Sequence, residues 1–479
     1  MMLTNADDRP AGFRFRTGGI VLAATVLAGI AAGCGEEVAG PAPSGEPTTT
    51  ADAPAPSRGW LDDPPTEGPE DDGRLAGEPE MADAPMSEEA SVGAAAARDA
   101  ETSRPAPEET VELGPLSAGN IDDNESFEDF LTYLERLGLA DVPHRQLDAT
   151  GRMVITVTDE DGEALSGVPV AVASGDRTVA TLVTTANGRT LFHPAAYGEP
   201  RTDYAISAGA APVTASPGDE VTVVGVNPQT QATALDVAFV IDATGSMGDE
   251  IAQLKSSVDS VVQRVESLPS EPDLRLSLTV YRDEGDAYVS ATHDFTGDLD
   301  EFREALALVE ANGGGDYPEA LDEALADSLT KPAWRPEGSA AQMIFLVADA
   351  PGHTERDVPQ PYTESMREAA ERGIKIFPIA SSASDDAAEV TFRQLAQFTG
   401  SRFVFLAYGA EGAATGDSTD IDSLDYEQLS LDDLVVRLIE EELAGRRNPT
   451  PGAPPTSTTT TAPSSTTTPA PTTSTPPGQ

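Results

Sequence analysis

Residues 235–250, LDVAFVIDATGSMGDE, constrain the fold more than any other stretch of the chain. They open with an apolar run, 237–241, that is too short for a buried helix and rich in β-branched residues. It reads as a parallel strand buried on both faces. The strand ends at Asp242. After the turn Ala243-Thr244-Gly245-Ser246 a helix is expected from near Met247, with Ile251, Leu254, Val258 and Val262 along one face. Asp242, Thr244 and Ser246 then share a loop at the carboxyl end of a strand, where open α/β sheets place their ligands. A carboxylate and two hydroxyls at alternate positions can point at one ion, and as hard oxygen donors they suit Mg²⁺, Mn²⁺ or Ca²⁺. The same hydroxyls have a second use, as caps of the helix that follows.

Residues 235–443 alternate strands and helices, the pattern of a doubly wound, mostly parallel sheet. Strands are expected at 274–281, 341–347, 374–379 and 402–406, with an antiparallel edge strand at 288–295. Helices are expected at 299–312, 363–371, 388–399 and 431–443. Three loops leave one edge of this sheet. They carry Asp242, Thr244 and Ser246, then Asp316 in Gly313-Gly314-Gly315-Asp316-Tyr317-Pro318-Glu319, then Asp349 in Ala348-Asp349-Ala350-Pro351-Gly352-His353. Pro318 suits the first turn of a helix, which Asp316 would cap if it is not a ligand. Asp283, Glu284 and Asp286 read as a solvated acidic loop, with a second ion as the alternative. His353 reads as packing or as support behind the ligands, since hard-ion sites rarely use imidazole.

Asp242-Ala-Thr244-Gly-Ser246 resembles the D-x-[ST]-x-S metal-ion-dependent adhesion site of von Willebrand factor type A domains. The details are most similar to the branch associated with hemicentins and atypical kinases, which shows D-A-T-G-S-M, Y-R-D, G-G-G-D-x-P-E-A, a tryptophan (here Trp334) and A-D-A-P-x-H in this order. The resemblance implies that Thr244 and Ser246 ligate the metal through their hydroxyls, and Asp242 and Asp349 directly or through water. Asp316 stands where most of the superfamily has threonine. A third carboxylate there would tighten ion binding and weaken the pull on an acidic ligand. No kinase signature accompanies the match: there is no glycine-rich loop followed by a lysine strand, and no H-R-D or D-F-G set.

The chain holds 82 acidic residues against 29 basic ones, a net charge of −53, which argues against nucleic acid as a partner. Its single cysteine, Cys34, follows a positive segment with Arg9, Arg14 and Arg16 and an apolar stretch at 20–32. That stretch is shorter than the ~20 residues a membrane span needs. Ala31-Ala32-Gly33-Cys34 resembles a bacterial lipobox, which implies lipidation of Cys34 and a membrane anchor. The following Pro-, Ala- and Glu-rich stretch reads as a disordered tether. Residues 126–139 read as an amphipathic helix capped by Ser126 and ended by Gly138, packing on the next domain. Residues 152–230 read as all-β, with strands at 153–158, 168–172, 178–185, 190–193, 204–207 and 221–226 and a hairpin turn at Asn187-Gly188. They resemble carboxypeptidase regulatory-like, Ig-like sandwich domains. His193 has no evident partner and reads as a packing or loop residue. The uncharged Pro/Thr/Ser tail reads as disordered.

The expected organisation is therefore a signal peptide (1–33), tether (34–120), helix (121–145), β-sandwich (150–232), type A domain (233–447) and tail (448–479). The expected function is metal-dependent binding at the cell surface, outside the cytoplasm. Mg²⁺, or Mn²⁺ or Ca²⁺, would engage an acidic group of a protein or glycan partner. A structural part of an envelope assembly is the first alternative and a metal-dependent hydrolase the second. Against an enzyme stand the absence of a Ser-His-Asp order, a P-loop and a zinc signature, and of a placed general base.

Overall fold

The computed structural model describes residues 116–198, 203–226, 234–315, 317–381, 384–408, 413–414 and 429–445. The expected signal segment, Cys34, the tether up to residue 115, Asp316 and the tail lie outside them. Among the described residues no helix is long and apolar enough to cross a membrane.

A strand, β1 (Ser117–Ile121), and a helix, α1 (Phe127–Ala140), come first. Seven short strands follow: β2 (Met153–Thr158), β3 (Pro169–Ser174), β4 (Arg177–Val183), β5 (Arg189–Phe192), β6 (Tyr204–Ser207), β7 (Val213–Ala215) and β8 (Glu220–Val224). They form two small sheets, β5-β2-β8 and β4-β3-β6-β7. Both sheets contribute to one core, Ile155 and Phe192 from the first and Val170, Val172 and Ile206 from the second. Asn187-Gly188 does turn tightly, with Gly188 at φ +71° and Arg189 N donating to Asn187 Oδ1 at 3.0 Å. It does not close the expected hairpin, because β5 pairs with β2 and the chain changes sheets there. Turn chemistry fixes the bend and leaves the pairing to the strands.

The remaining elements are β9 (Ala234–Asp242), α2 (Gly248–Glu266), β10 (Asp273–Tyr281), β11 (Ser290–Thr296), α3 (Leu299–Ala307), α4 (Leu321–Thr330), β12 (Ala341–Ala348), α5 (Tyr362–Arg372), β13 (Ile374–Ala380), α6 (Asp386–Thr399), β14 (Phe403–Tyr408), β15 (Ala413–Ala414), β16 (Leu429–Ser430) and α7 (Leu431–Ala444). The large sheet runs β11-β10-β9-β12-β13-β14-β1-β16, with β15 beside β14. Strands β10, β9, β12, β13 and β14 are parallel, and β11 is an antiparallel edge. Strand β9 sends Val237, Phe239 and Ile241 into a core with α2, α3 and α7, and Ala238 and Val240 into a core with α4, α5 and α6. Burial on both faces explains its unbroken apolar run. Chain order reverses between β9 and β12, so the loops leaving their carboxyl ends diverge and open a crevice. Two expected boundaries move. The helix at 299–312 stops at Ala307, with Val309 still packed inward. The helix placed at Pro318 begins at Leu321, and Ala320 holds its cap position without a side-chain bond.

The sheet also extends beyond the expected type A boundaries. Strand β1, whose residues 117–120 read as the end of a tether, pairs antiparallel with β14 and with β16. The sequence SAGNI has little β propensity of its own, and its partners set its conformation. Helix α1 runs through Gly138 and ends at Asp141, which takes the left-handed conformation at φ 59° that aspartate tolerates. Ser126 makes no side-chain cap bond. Phe130, Tyr133 and Leu137 pack with Val390 of α6. Beside them Arg393 donates to both oxygens of buried Asp123, at 2.6 and 3.0 Å, and to Glu389 at 3.0 Å.

Candidate metal centre

Strand register brings Asp242 to the crevice. Tyr281 of β10 pairs with it on one side, and on the other Val347 pairs with Ile241, which carries Asp349 to the same edge. Asp242 is fully buried. Its Oδ1 accepts from Thr244 N at 2.9 Å and from Thr244 Oγ1 at 2.7 Å, and Thr244 Oγ1 lies 3.1 Å from Ser246 Oγ. A single 3-10 turn, Gly245–Met247, leads into α2, and neither helical segment has a side-chain cap bond at its start. The two hydroxyls therefore face the Asp242 carboxylate and each other, which decides against the capping alternative.

The second loop is laced to the first by its backbone. Asn312 N donates to Ala243 O at 2.9 Å, and Gly245 N donates to Gly313 O at 3.0 Å. Gly313 and Gly314 sit at φ +77° and +66°. A Cβ on Gly313 would lie 2.3 Å from the Asp286 carboxylate, and one on Gly314 would lie 2.6 Å from Glu319 Oε1 and 2.8 Å from Thr244 Cβ. Glycine is required at both for conformation and for room. Glu319, buried, is held to the third loop by its own N–H, which donates to Pro351 O at 3.1 Å.

The carboxylates at this edge raise one another. Burial first, and Asp349 second, push Asp242 up to about 7, against the hydrogen bonds from Thr244. Burial first, then Asp242, Asp283 and Asp349, push Glu319 up to about 8. Asp349 is raised by burial despite a hydrogen bond from the Ser246 hydroxyl. No lysine or arginine figures among the groups that act most on these three. Four oxygens here are buried without a hydrogen-bond partner: Asp242 Oδ2, Asp349 Oδ1, Glu319 Oε2 and Tyr281 Oη. The Tyr281 hydroxyl lies near enough to ease the Asp242 charge, without a bond of ordinary geometry. The carboxylate oxygens among them are costly to bury unless a proton or a cation neutralises them, and hard oxygen donors fit Mg²⁺, Mn²⁺ or Ca²⁺. Among the described residues no three His, Cys, Asp or Glu side chains form a ready cage. The Thr244 and Ser246 hydroxyls add two further hard oxygens at this edge.

Residues 236–408 match the family model of the von Willebrand factor A domain. A von Willebrand factor A domain-containing protein 7 of Rattus norvegicus is 37% identical over 96 residues, 20% of this chain and 10% of that protein. A putative ariadne-like RING finger protein of Acanthamoeba polyphaga mimivirus is 30% identical over 119 residues, 25% of this chain and 11% of that protein. An alpha-protein kinase of Dictyostelium discoideum is 28% identical over 120 residues, 25% of this chain and 19% of that protein. This chain thus spans between 10% and 19% of these relatives, and the likeness is that of a domain.

Within the A domain, Asp242, Thr244, Ser246 and Asp349 come together, and Asp316 lies outside the described residues. The acidic loop read as solvated folds onto the same edge. Asp283 is buried, and Asp286 Oδ2 accepts from Gly314 N at 2.8 Å. His353 stands behind it as support, with Nε2 3.0 Å from Asp283 Oδ1 and Nδ1 2.5 Å from Glu355 Oε1. Burial alone would lower the His353 pKa, and these two carboxylates outweigh it. Glu319 is the functional candidate that sequence reasoning missed. Its signal was present in the glycine-rich loop itself, as a second carboxylate three residues after Asp316.

Proposed function

We propose that the A domain binds a divalent cation, Mg²⁺ or else Mn²⁺ or Ca²⁺, and uses it to bind an acidic group of a protein or glycan partner. Thr244 and Ser246 supply hydroxyl oxygens, Asp242 and Asp349 supply carboxylates directly or through water, and Asp316 is a further carboxylate candidate. A bound ion supplies positive charge and an exchangeable coordination position. Ser246 is exposed, whereas Asp242 and Thr244 are buried, and it marks the side from which a partner approaches. The observation that carries this reading is the convergence of both hydroxyls on Asp242, beside buried carboxylate oxygens that have no partner. Binding rather than catalysis accords with the general role of A domains. In the same reading Cys34 is lipidated, the protein faces outward from a membrane, and the two small sheets are an Ig-like sandwich that serves as a spacer.

Calorimetry of the chain with Mg²⁺, Mn²⁺ and Ca²⁺, against Asp242→Ala, tests the ion site. Saturable binding that the variant lacks is the expected result, and no binding by the wild type overturns the proposal. Partner capture that survives chelation would instead make the ion a structural brace in an envelope assembly. Fatty-acid labelling that persists in Cys34→Ala would overturn the anchor.

A further inference from the structure

We propose a second ligand site, for a small molecule bearing a carboxylate or phosphate group, in the cleft between the small sheets and the α/β unit. The cleft encloses about 440 Å³, a size typical of small-molecule sites, which favour junctions between packed units. Gly373 and Lys375, at the amino end of β13, and Gly400, just before β14, line it. It therefore lies at the end of the parallel strands opposite to Asp242, and no residue of the metal centre takes part.

Two guanidinium groups on its wall, those of Arg152 and Arg189, make no ion pair among the described residues. Arg152 Nη1 donates to Asn124 Oδ1 at 2.9 Å, and its guanidinium covers the Phe127 ring at 3.6 Å. Its Nε is buried without an acceptor. Burial lowers the Arg152 pKa to about 10; the charge of Arg189 adds to the shift, and Glu220 and Glu128 oppose it. The Arg189 side chain, exposed on the same wall, makes no hydrogen bond or ion pair among the described residues. The third cation, Lys375, is already paired with Glu442. Carboxylates are not scarce in a chain with 82 acidic residues, and those near Arg152 act on it without forming an ion pair, which leaves room for an external oxyanion at the two guanidinium groups. A guanidinium meets a carboxylate or phosphate with two parallel hydrogen bonds, which lysine cannot do. Glu125 and Glu220 also face the cleft, which limits the ligand to one anionic group.

The test is calorimetry of the full chain in metal-free buffer, with inorganic phosphate and glucuronate as separate probes. Saturable binding of at least one probe is expected, weakened about tenfold or more in Arg189→Gln. Which probe binds names the oxyanion. Arg189 is exposed and carries no partner, so its variant is expected to fold. The absence of saturable binding by both probes, or undiminished binding in Arg189→Gln, would overturn the proposal.

Discussion

Asp242→Asn is expected to stabilise the protein without its ion and to destabilise it with the ion. Asparagine keeps the Oδ1 that accepts from Thr244 N and Oγ1. It puts an amide donor where the partnerless Oδ2 lies, and it removes one negative charge from beside Asp349. Burial first, and Asp349 second, raise the Asp242 carboxyl from 3.8 to about 7. With the folded-state value raised, the folded protein binds the proton more tightly than the unfolded chain. The associated stability is complete below about pH 4 and is lost as pH rises through about 7. A shift near three units corresponds to about 4 kcal/mol at most, and relaxation around the site trims that to about 2–4 kcal/mol. Asparagine escapes this loss. In chelator at pH 8 the variant should melt roughly 3–6 °C above the wild type, at about 1.5 °C per kcal/mol for a folded part of about 300 residues. An ion at about a thousand times its Kd adds about 4.1 kcal/mol to the wild type and little to the variant, enough to cover that gap, so Mg²⁺ at this excess should reverse the order. Thermal melting with chelator and with Mg²⁺ checks both halves. A variant that melts below the wild type in chelator would mean that the carboxylate holds the loop and awaits no cation. An order that Mg²⁺ leaves unchanged would remove the ion from the site.

His193 is fully buried, stacks on Phe398 at 4.2 Å, and is held neutral down to about pH 3, by burial first and the Arg152 charge second. The unfolded chain takes up its proton first, so stability should fall as pH drops below about 6.5, by up to roughly tenfold in the folding constant per pH unit. His193→Phe should flatten this acid limb in denaturant titrations from pH 7 to 4, and an unchanged slope would contradict the account. Arg145 donates to Asp322 Oδ2 at 3.3 Å and to His353 O at 2.8 Å, and so clamps the third loop from outside the matched A domain. Arg145→Ala should cost about 1–3 kcal/mol by leaving the buried Asp322 short of a partner, and should weaken Mg²⁺ binding several-fold, with partial recovery in Arg145→Lys. Full ion affinity in the alanine variant would refute the clamp. Asp316→Thr should lower ion affinity and raise affinity for an acidic ligand, and calorimetry showing tighter ion binding in the variant would remove Asp316 from the ligand set.

The large sheet was legible where strands are buried on both faces. In β9, β12 and β13 the apolar run, its punctuation and the next helix agree, so the residue pattern by itself assigns the strand ends to one edge. That is why the residue pattern places Asp242, Thr244, Ser246 and Asp349 at one edge, where the structure has them. Glu319 was in plain view, yet a helix read from Pro318 would have placed it in a first turn. What turns its carboxylate toward Thr244 is the bond from its N–H to Pro351 O, a contact that local pattern does not contain. Strand β1 was missed for the same reason. It has few apolar residues and takes its conformation from β14, nearly three hundred residues later in the chain.

Net charge said little about where cations belong, because 82 acidic residues are spread along the chain. Pairing says more. Elsewhere in the fold the buried carboxylates have guanidinium partners: Asp236 pairs with Arg275 and Arg335, Asp123 and Glu389 with Arg393, and Glu441 with Arg402 and Arg437. Burying a charge without a partner is strongly destabilising, and at those places the fold avoids it. Among the described residues Asp242, Glu319 and Asp349 form no ion pair, although they are buried as deeply as the paired ones. Local scarcity of arginine does not explain this, since Arg145 and Arg356 reach Asp322, Glu323 and Glu284 on neighbouring elements. The fold pairs buried acids in general and leaves these three without a cationic partner, which is the arrangement that the proposed ion site requires.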